Sequence, residues 1–131
     1  MELKKKKKLD DKSFVVKSFV TTSMAKLIAQ DYGVELMEVP VGFKFIGEKI
    51  KQFDDTGLRE FIFGFEESYG YMAGGYVRDK DAVIASMLIC EMAAYYLAQG
   101  KTLIDVLNEL YEKHGTFLDV LDSYTLKGKD G

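Results

Sequence analysis

The chain has 131 residues, about the size of one domain, with 47% apolar residues, eight Tyr and nine Phe. That composition predicts a packed, soluble globule, and no apolar stretch approaches the roughly 20 residues a membrane span needs. A net charge of −3 gives no electrostatic ground for a nucleic-acid partner.

The five lysines Lys4 to Lys8 read as a solvated extension or linker over residues 1–13 and lack the apolar core of a signal peptide. Val15 to Val20 is β-rich, and Thr21-Thr22-Ser23 supplies hydroxyls suited to capping a helix. Met24, Leu27, Ile28 and Tyr32 share one helical face, and Gly33 provides a left-handed stop. Val34 to Val39 reads as a second strand, ended by Pro40. After a Gly42-Phe43-Lys44 turn, Ile46, Ile50 and Phe53 mark a second helix, which runs to Asp54-Asp55-Thr56-Gly57. Glu60 to Phe65 is the third strand. Strands joined through helices become parallel neighbours by right-handed crossovers.

Further on, Asp79 or Asp81 is placed to cap a long helix through Tyr96. Its apolar residues Val83, Ile84, Met87, Leu88 and Met92 occupy more than one face, which predicts a largely buried helix. Cys90 within it reads as a buried structural thiol of a reducing compartment. Gly100 breaks this helix, Thr102 with Asp105 resembles a capping box, and Leu103, Val106, Leu107, Leu110 and Tyr111 form an amphipathic stripe up to Gly115. His114, in the last turn, reads as a helix-dipole partner rather than a catalytic base. Phe117 to Leu126 reads as a final edge strand.

The segment Gly64-Phe65-Glu66-Glu67-Ser68-Tyr69-Gly70-Tyr71 carries the chemistry. It places two carboxylates and a hydroxyl just beyond the carboxyl end of a strand, where open α/β sheets bind ligands. A carboxylate accepts two hydrogen bonds at once and so can chelate neighbouring hydroxyls of a polyol. The bland alternative is an acidic helix start or a solvated hairpin tip. Gly70 to Gly75 has neither the GxGxxG spacing nor a following Lys-Ser or Lys-Thr, so a nucleotide cradle is rejected, and its glycines read as letting the loop bend. One His, one Cys and scattered acids assemble no metal cluster.

This loop, together with Pro40-Val41-Gly42-Phe43-Lys44 and Val77-Arg78-Asp79-Lys80-Asp81, resembles the third domain of the α-D-phosphohexomutases, over about Phe14 to His114. The resemblance implies a three-layer α/β/α domain over 14–131, with a four-stranded mixed sheet: three parallel strands plus the last strand as an antiparallel edge. It implies that Glu66 and Ser68 contact sugar hydroxyls and that Glu67 either helps or orients the loop. Gly42 and Lys44 resemble a family active-site turn, and Arg78 and Lys80 stand as cations for the sugar phosphate. A surface ion pair with Asp79 or Asp81 is the bland reading for these two.

The family works through a phosphoserine in a Thr-Ala-Ser-His-Asn-Pro-like loop, an Asp-Gly-Asp-x-Asp-Arg magnesium loop and an Arg-x-Ser-Gly-Thr phosphate clamp, none of which occurs here. The expectation is therefore a sugar-recognition domain from a longer cytoplasmic enzyme that interconverts hexose 1- and 6-phosphates. Mg2+ and a hexose 1,6-bisphosphate activator would serve that complete enzyme, with none bound by these residues. The expected partners are the hexose phosphate and the parent's other domains, and neither nucleic acid nor membrane. Substitution of Glu66 is expected to impair substrate use while leaving the fold intact. The alternative is a free-standing, non-catalytic α/β module that binds a small anion or a protein.

Overall fold

The computed structural model describes residues 9–120 and 122. The lysine run and most of the segment beyond 120 lie outside the described residues. Four strands, β1 (Ser13–Ser18), β2 (Glu35–Val39), β3 (Glu60–Phe65) and β4 (Tyr71–Ala73), form one sheet in the order β2-β1-β3-β4. β1 runs parallel to β2 and β3, while β4 is antiparallel to β3. The helices are α1 (Met24–Tyr32), α2 (Phe43–Asp54), α3 (Ala82–Leu97) and α4 (Leu103–His114).

Central β1 carries the densest burial, because it alone is flanked by parallel strands on both edges. Phe14 and Val16 meet Val39, Phe61 and Met72, and α2 closes this face with Phe43, Ile46 and Ile50. The Phe14 ring lies 5.0 Å from Phe53 and 5.7 Å from Phe61. Gly64 sets how close α2 comes: a Cβ there would stand 2.9 Å from Ile46 Cγ2. On the other face, α1 packs on β2, α3 on β4, and α4 on α3. Packing there is looser. A cavity of about 520 Å³ lies between α3 and Phe63 and Tyr71, and another of about 270 Å³ lies between α1 and Val15, Leu36 and Phe65.

Local signals fix most element ends. Gly33 takes φ 62° after α1, Asp81 accepts the Val83 and Ile84 amides, and Thr102 and Asp105 cap each other reciprocally. Ser23 stands at the N-cap of α1 but makes no side-chain cap bond. The α2 helix begins at Phe43, so Phe43 and Lys44 belong to its first turn rather than to a preceding loop.

The expected antiparallel edge strand at Phe117 to Leu126 is not found. Residues 116–120 form no regular structure, and residues 121 and 123–126 lie outside the described ones. The antiparallel edge is instead Tyr71–Ala73, because a tight reversal closed by Glu66 N–H donating to Gly70 O at 2.9 Å turns the chain straight back along β3. The expected burial of α3 also fails. None of its residues is buried, Val83 and Leu97 are 81% and 70% exposed, and the Cys90 thiol is exposed. An apolar helix needs a neighbour on each side to be buried, and here the sheet and α4 serve only part of its circumference.

Candidate functional site

The connection after β1 leaves toward β2, whereas the one after β3 turns toward β4, so a crevice opens between the carboxyl ends of these adjacent strands. The loops around it begin at Phe19, Pro40 and Glu66. The β3–β4 loop is pinned to both of the others by its two carboxylates.

Glu66 is only 5% exposed. Its Oε1 accepts the Gly42 amide at 2.7 Å. Gly42 is the N-cap residue of α2 and has φ 122°, so no side chain of its own serves the helix start. The Glu66 carboxylate fills that role from another loop, placing negative charge where the helix dipole is positive. Glu66 therefore has a structural contact as well as its expected part in recognition, since a charge-assisted bond to a buried carboxylate is among the stronger single contacts. Its Oε2 makes no hydrogen bond among the described residues.

Glu67 points the other way around the crevice. Its Oε2 accepts the Ser18 hydroxyl at 2.7 Å and the Thr21 hydroxyl at 3.1 Å, and those two hydroxyls lie 2.6 Å apart. The bond from Ser18 is the leading reason that the Glu67 carboxyl is held below its ordinary value. Beneath this group lies Lys17, 1% exposed, whose ammonium donates to Thr21 O at 2.8 Å and Ser18 O at 3.2 Å and pairs with Glu38 at 2.8 Å. A buried ammonium with three oxygen partners is satisfied, so this Lys braces the chain as it leaves β1. The charged residue inside the apolar run Val15-Val16-Lys17 was the signal for it. Ser18 and Thr21 carried no such mark, because their partner Glu67 lies 49 and 46 residues away.

With both carboxylates engaged, the loop tip presents Ser68 and Tyr69, both exposed. Of the expected cations, Lys44 lies in the first turn of α2, with its ammonium 4.8 Å from the Phe45 ring centre. Lys80 lies close to the loop: its ammonium is 5.1 Å from the Phe43 ring centre, and its Cδ would meet a Cβ at Gly70 at 3.0 Å. It also pairs with Asp79 at 3.3 Å. Arg78 is not brought to the loop. Its guanidinium holds Asp54 at 2.6 Å, at the last residue of α2, a helix about 18 Å long that begins beside Glu66. His114 is nearly buried, with Nε2 3.0 Å from Asp31 Oδ2, at the far end of α4.

Neither cavity is lined by residues of the Glu66–Gly70 loop. The loop is a segment anchored at Gly42 and at Ser18 and Thr21, outside both of these cavities. Among the described residues, no group of three His, Cys, Asp or Glu side chains is placed to hold a metal ion, and no helix is long and apolar enough to cross a membrane.

Residues 1–114 match the model of the phosphoglucomutase/phosphomannomutase family, α/β/α domain III. Phosphoglucomutase of Staphylococcus aureus (strain bovine RF122 / ET3-1) is 43% identical over 117 residues, 89% of this chain and 21% of the relative. Phosphoglucomutase of Staphylococcus haemolyticus is 40% identical over 119 residues, 91% of this chain and 21% of the relative. The chain thus spans about a fifth of the length of these curated relatives. Among solved structures, a Thermus thermophilus protein described as a phosphomannomutase superposes with a TM-score of 0.64 at 27% identity, covering 85% of this chain and 23% of its own. The open form of parafusin, a phosphoglucomutase from Paramecium, superposes with a TM-score of 0.62 at 24% identity over 78% of this chain and 17% of its own, a likeness of fold.

Proposed function

The chain belongs to the phosphoglucomutase/phosphomannomutase family as its α/β/α domain III, and from that premise we propose that its β3–β4 loop is the sugar-recognition wall of a cytoplasmic phosphohexomutase. The parent enzyme interconverts hexose 1- and 6-phosphates. Its phosphoserine, its Mg2+ site and its bisphosphate activator belong to other domains, and no chemical step is assigned to the residues described here.

The observation that carries this reading is the double anchoring of the loop. One oxygen of Glu66 is committed to Gly42 N–H, which leaves the other as acceptor for a sugar hydroxyl, and Ser68 adds a donor and acceptor two residues on. Glu67 serves by holding the loop against the end of β1. A sugar phosphate that must be bound in two orientations, with its 1- and 6-positions exchanged, keeps the hydroxyls at the 3- and 4-positions near the exchange axis. A fixed acceptor there meets them in both poses. Such a loop contributes orientation rather than bond making. Lys44 and Lys80 flank it as supports for the phosphate, while Arg78, tied to Asp54, is assigned a lesser part.

The test is a titration of the isotope-labelled chain with glucose 6-phosphate, followed by amide NMR, with inorganic phosphate as the control. Shifts centred on residues 66–70 and 42–44, produced by the sugar phosphate and not by phosphate alone, are expected. Shifts that track phosphate alone, or an unmoved loop, refute the assignment. In a coupled assay, the chain alone is expected to give no turnover of glucose 1-phosphate.

A further inference from the structure

Tyr69 is the only non-glycine residue with positive φ among the described residues, at φ 61°. Glycine or asparagine enters this left-handed region easily, whereas a bulky aromatic residue is a genuine outlier there. Strain of this kind persists only where something offsets it. The fold itself offers little in return. The side chain is 87% exposed and, among the described residues, makes no hydrogen bond, ion pair or ring contact. Of the neighbouring rings, Phe63 stacks on Tyr71 and meets Phe65 at a tilt, and Tyr69 takes part in neither contact.

Its position supplies the missing reason. Tyr69 follows Ser68 directly, on a loop whose backbone is closed at Glu66 and Gly70 and whose acidic side chains are bound to Gly42, Ser18 and Thr21. A residue on such a loop is held in place without using its own side chain. We infer that Tyr69 is a substrate-positioning residue whose ring lies against the C–H face of the hexose while Glu66 and Ser68 take the hydroxyls. This inference rests on the sugar-site reading above and adds to it the non-polar half of the recognition. A pyranose has an apolar C–H face as well as a rim of hydroxyls, and an aromatic ring with its negatively polarised face complements those C–H bonds. It also offers area at low conformational-entropy cost, since only two side-chain torsions must be fixed.

The experiment compares the chain with its Tyr69→Gly and Tyr69→Phe variants in the same amide NMR titration, using glucose 6-phosphate and, separately, unphosphorylated glucose, alongside thermal unfolding. Tyr69→Gly should bind both sugars about five-fold more weakly while unfolding at the same or a higher temperature, because glycine takes φ 61° without strain. Tyr69→Phe should bind within about two-fold of the parent. A loss of sugar binding without a loss of stability is a result that a purely structural turn residue does not give. Unchanged binding in Tyr69→Gly overturns the inference while leaving the loop assignment standing. Tyr69→Phe weakened as much as Tyr69→Gly overturns the ring-face contact in favour of the hydroxyl. A parent chain whose loop is unmoved by glucose 6-phosphate overturns the sugar-site reading, and this inference with it.

Discussion

Replacing Glu66 by Ala separates the two duties that the structure places on one carboxylate. The 2.7 Å bond from Gly42 N–H is charge-assisted and partly buried, with its acceptor Glu66 almost fully so, a class worth about 1.5–3 kcal/mol. The favourable placement of the charge at the start of α2 overlaps with that value and is not added in full. Glu66→Ala leaves the Gly42 amide without its acceptor and should therefore destabilise the chain by about 2–3 kcal/mol. For a domain of this size that lowers the unfolding midpoint by about 8–12 °C. Glu66→Gln keeps a carbonyl acceptor but removes the charge and should cost about half as much. Urea unfolding monitored by circular dichroism reads both, and the slope with denaturant should be unchanged if the folded state is preserved. Sugar binding is then measured well below each variant's midpoint, where it should be lost in Glu66→Ala even though the chain is folded. An Ala variant within about 0.5 kcal/mol of the parent would refute the reasoning, because it would mean that the α2 start does not depend on this side chain.

Two further substitutions probe the other anchors. Glu67 has its carboxyl lowered chiefly by the Ser18 hydroxyl, so its contribution is present above the unfolded value near 4.5 and is lost as pH falls through the lower folded value. Stability measured from about pH 7 down to about pH 3 should accordingly fall less steeply in Glu67→Gln than in the parent, and parallel curves would contradict the hydroxyl clamp. At Lys17, the partner Glu38 is about half exposed and keeps its hydration if the pair is broken, so the cost lies in lost stem packing and in the Thr21 carbonyl left without its donor, the Ser18 carbonyl still accepting the Thr21 amide at 3.1 Å. Lys17→Ala should lose about 3 kcal/mol, whereas Lys17→Met, which refills the volume, should lose about 1 kcal/mol. Equal losses in urea unfolding would show that charge, not volume, governs the site.

What the sequence made legible follows the range of the interactions involved. Gly33, Asp81 and the Thr102–Asp105 box act within a few residues, and each terminates or starts its helix as the local chemistry requires. The alternation of strands and helices from Ser13 to Phe65 likewise forces parallel pairing, and β1, β2 and β3 pair in that way. The misses are of a different kind. A three-residue strand such as Tyr71–Ala73 is too short to show alternation, and its return depends on a hairpin in which Tyr69 adopts a conformation that no propensity argument predicts. The apolar content of α3 reports that the helix avoids water but not what stands beside it, so its exposure could not be read from residues 82–97. Glu66 and Ser68 are singled out together by the family resemblance of their loop, not by a local folding rule. Pairing Arg78 with Asp54 needed the path of the Gly74 to Lys80 connection, which only the fold supplies.

The two carboxylates on the β3–β4 loop show why adjacent, chemically identical residues need not share a role. Glu66 is drawn across to the start of α2, and Glu67 is drawn to the hydroxyls at the end of β1. A loop held at two points on opposite sides has lost its main freedoms before any ligand arrives, so the entropy of ordering it is charged to folding rather than to binding. This matters most for a wall that does not itself enclose the ligand. Neither of the two cavities reaches residues 66–70, so neither buries a sugar held by the loop, and fixed geometry is what the loop has to contribute. Along the segment Glu66 is buried, whereas Glu67, Ser68 and Tyr69 are exposed, so the first anchor lies beneath the loop and the second beside the contact residues. It follows that weakening an anchor should lower the precision with which Ser68 is placed, and that loosening Glu67 should reduce sugar affinity although Glu67 need never touch the sugar.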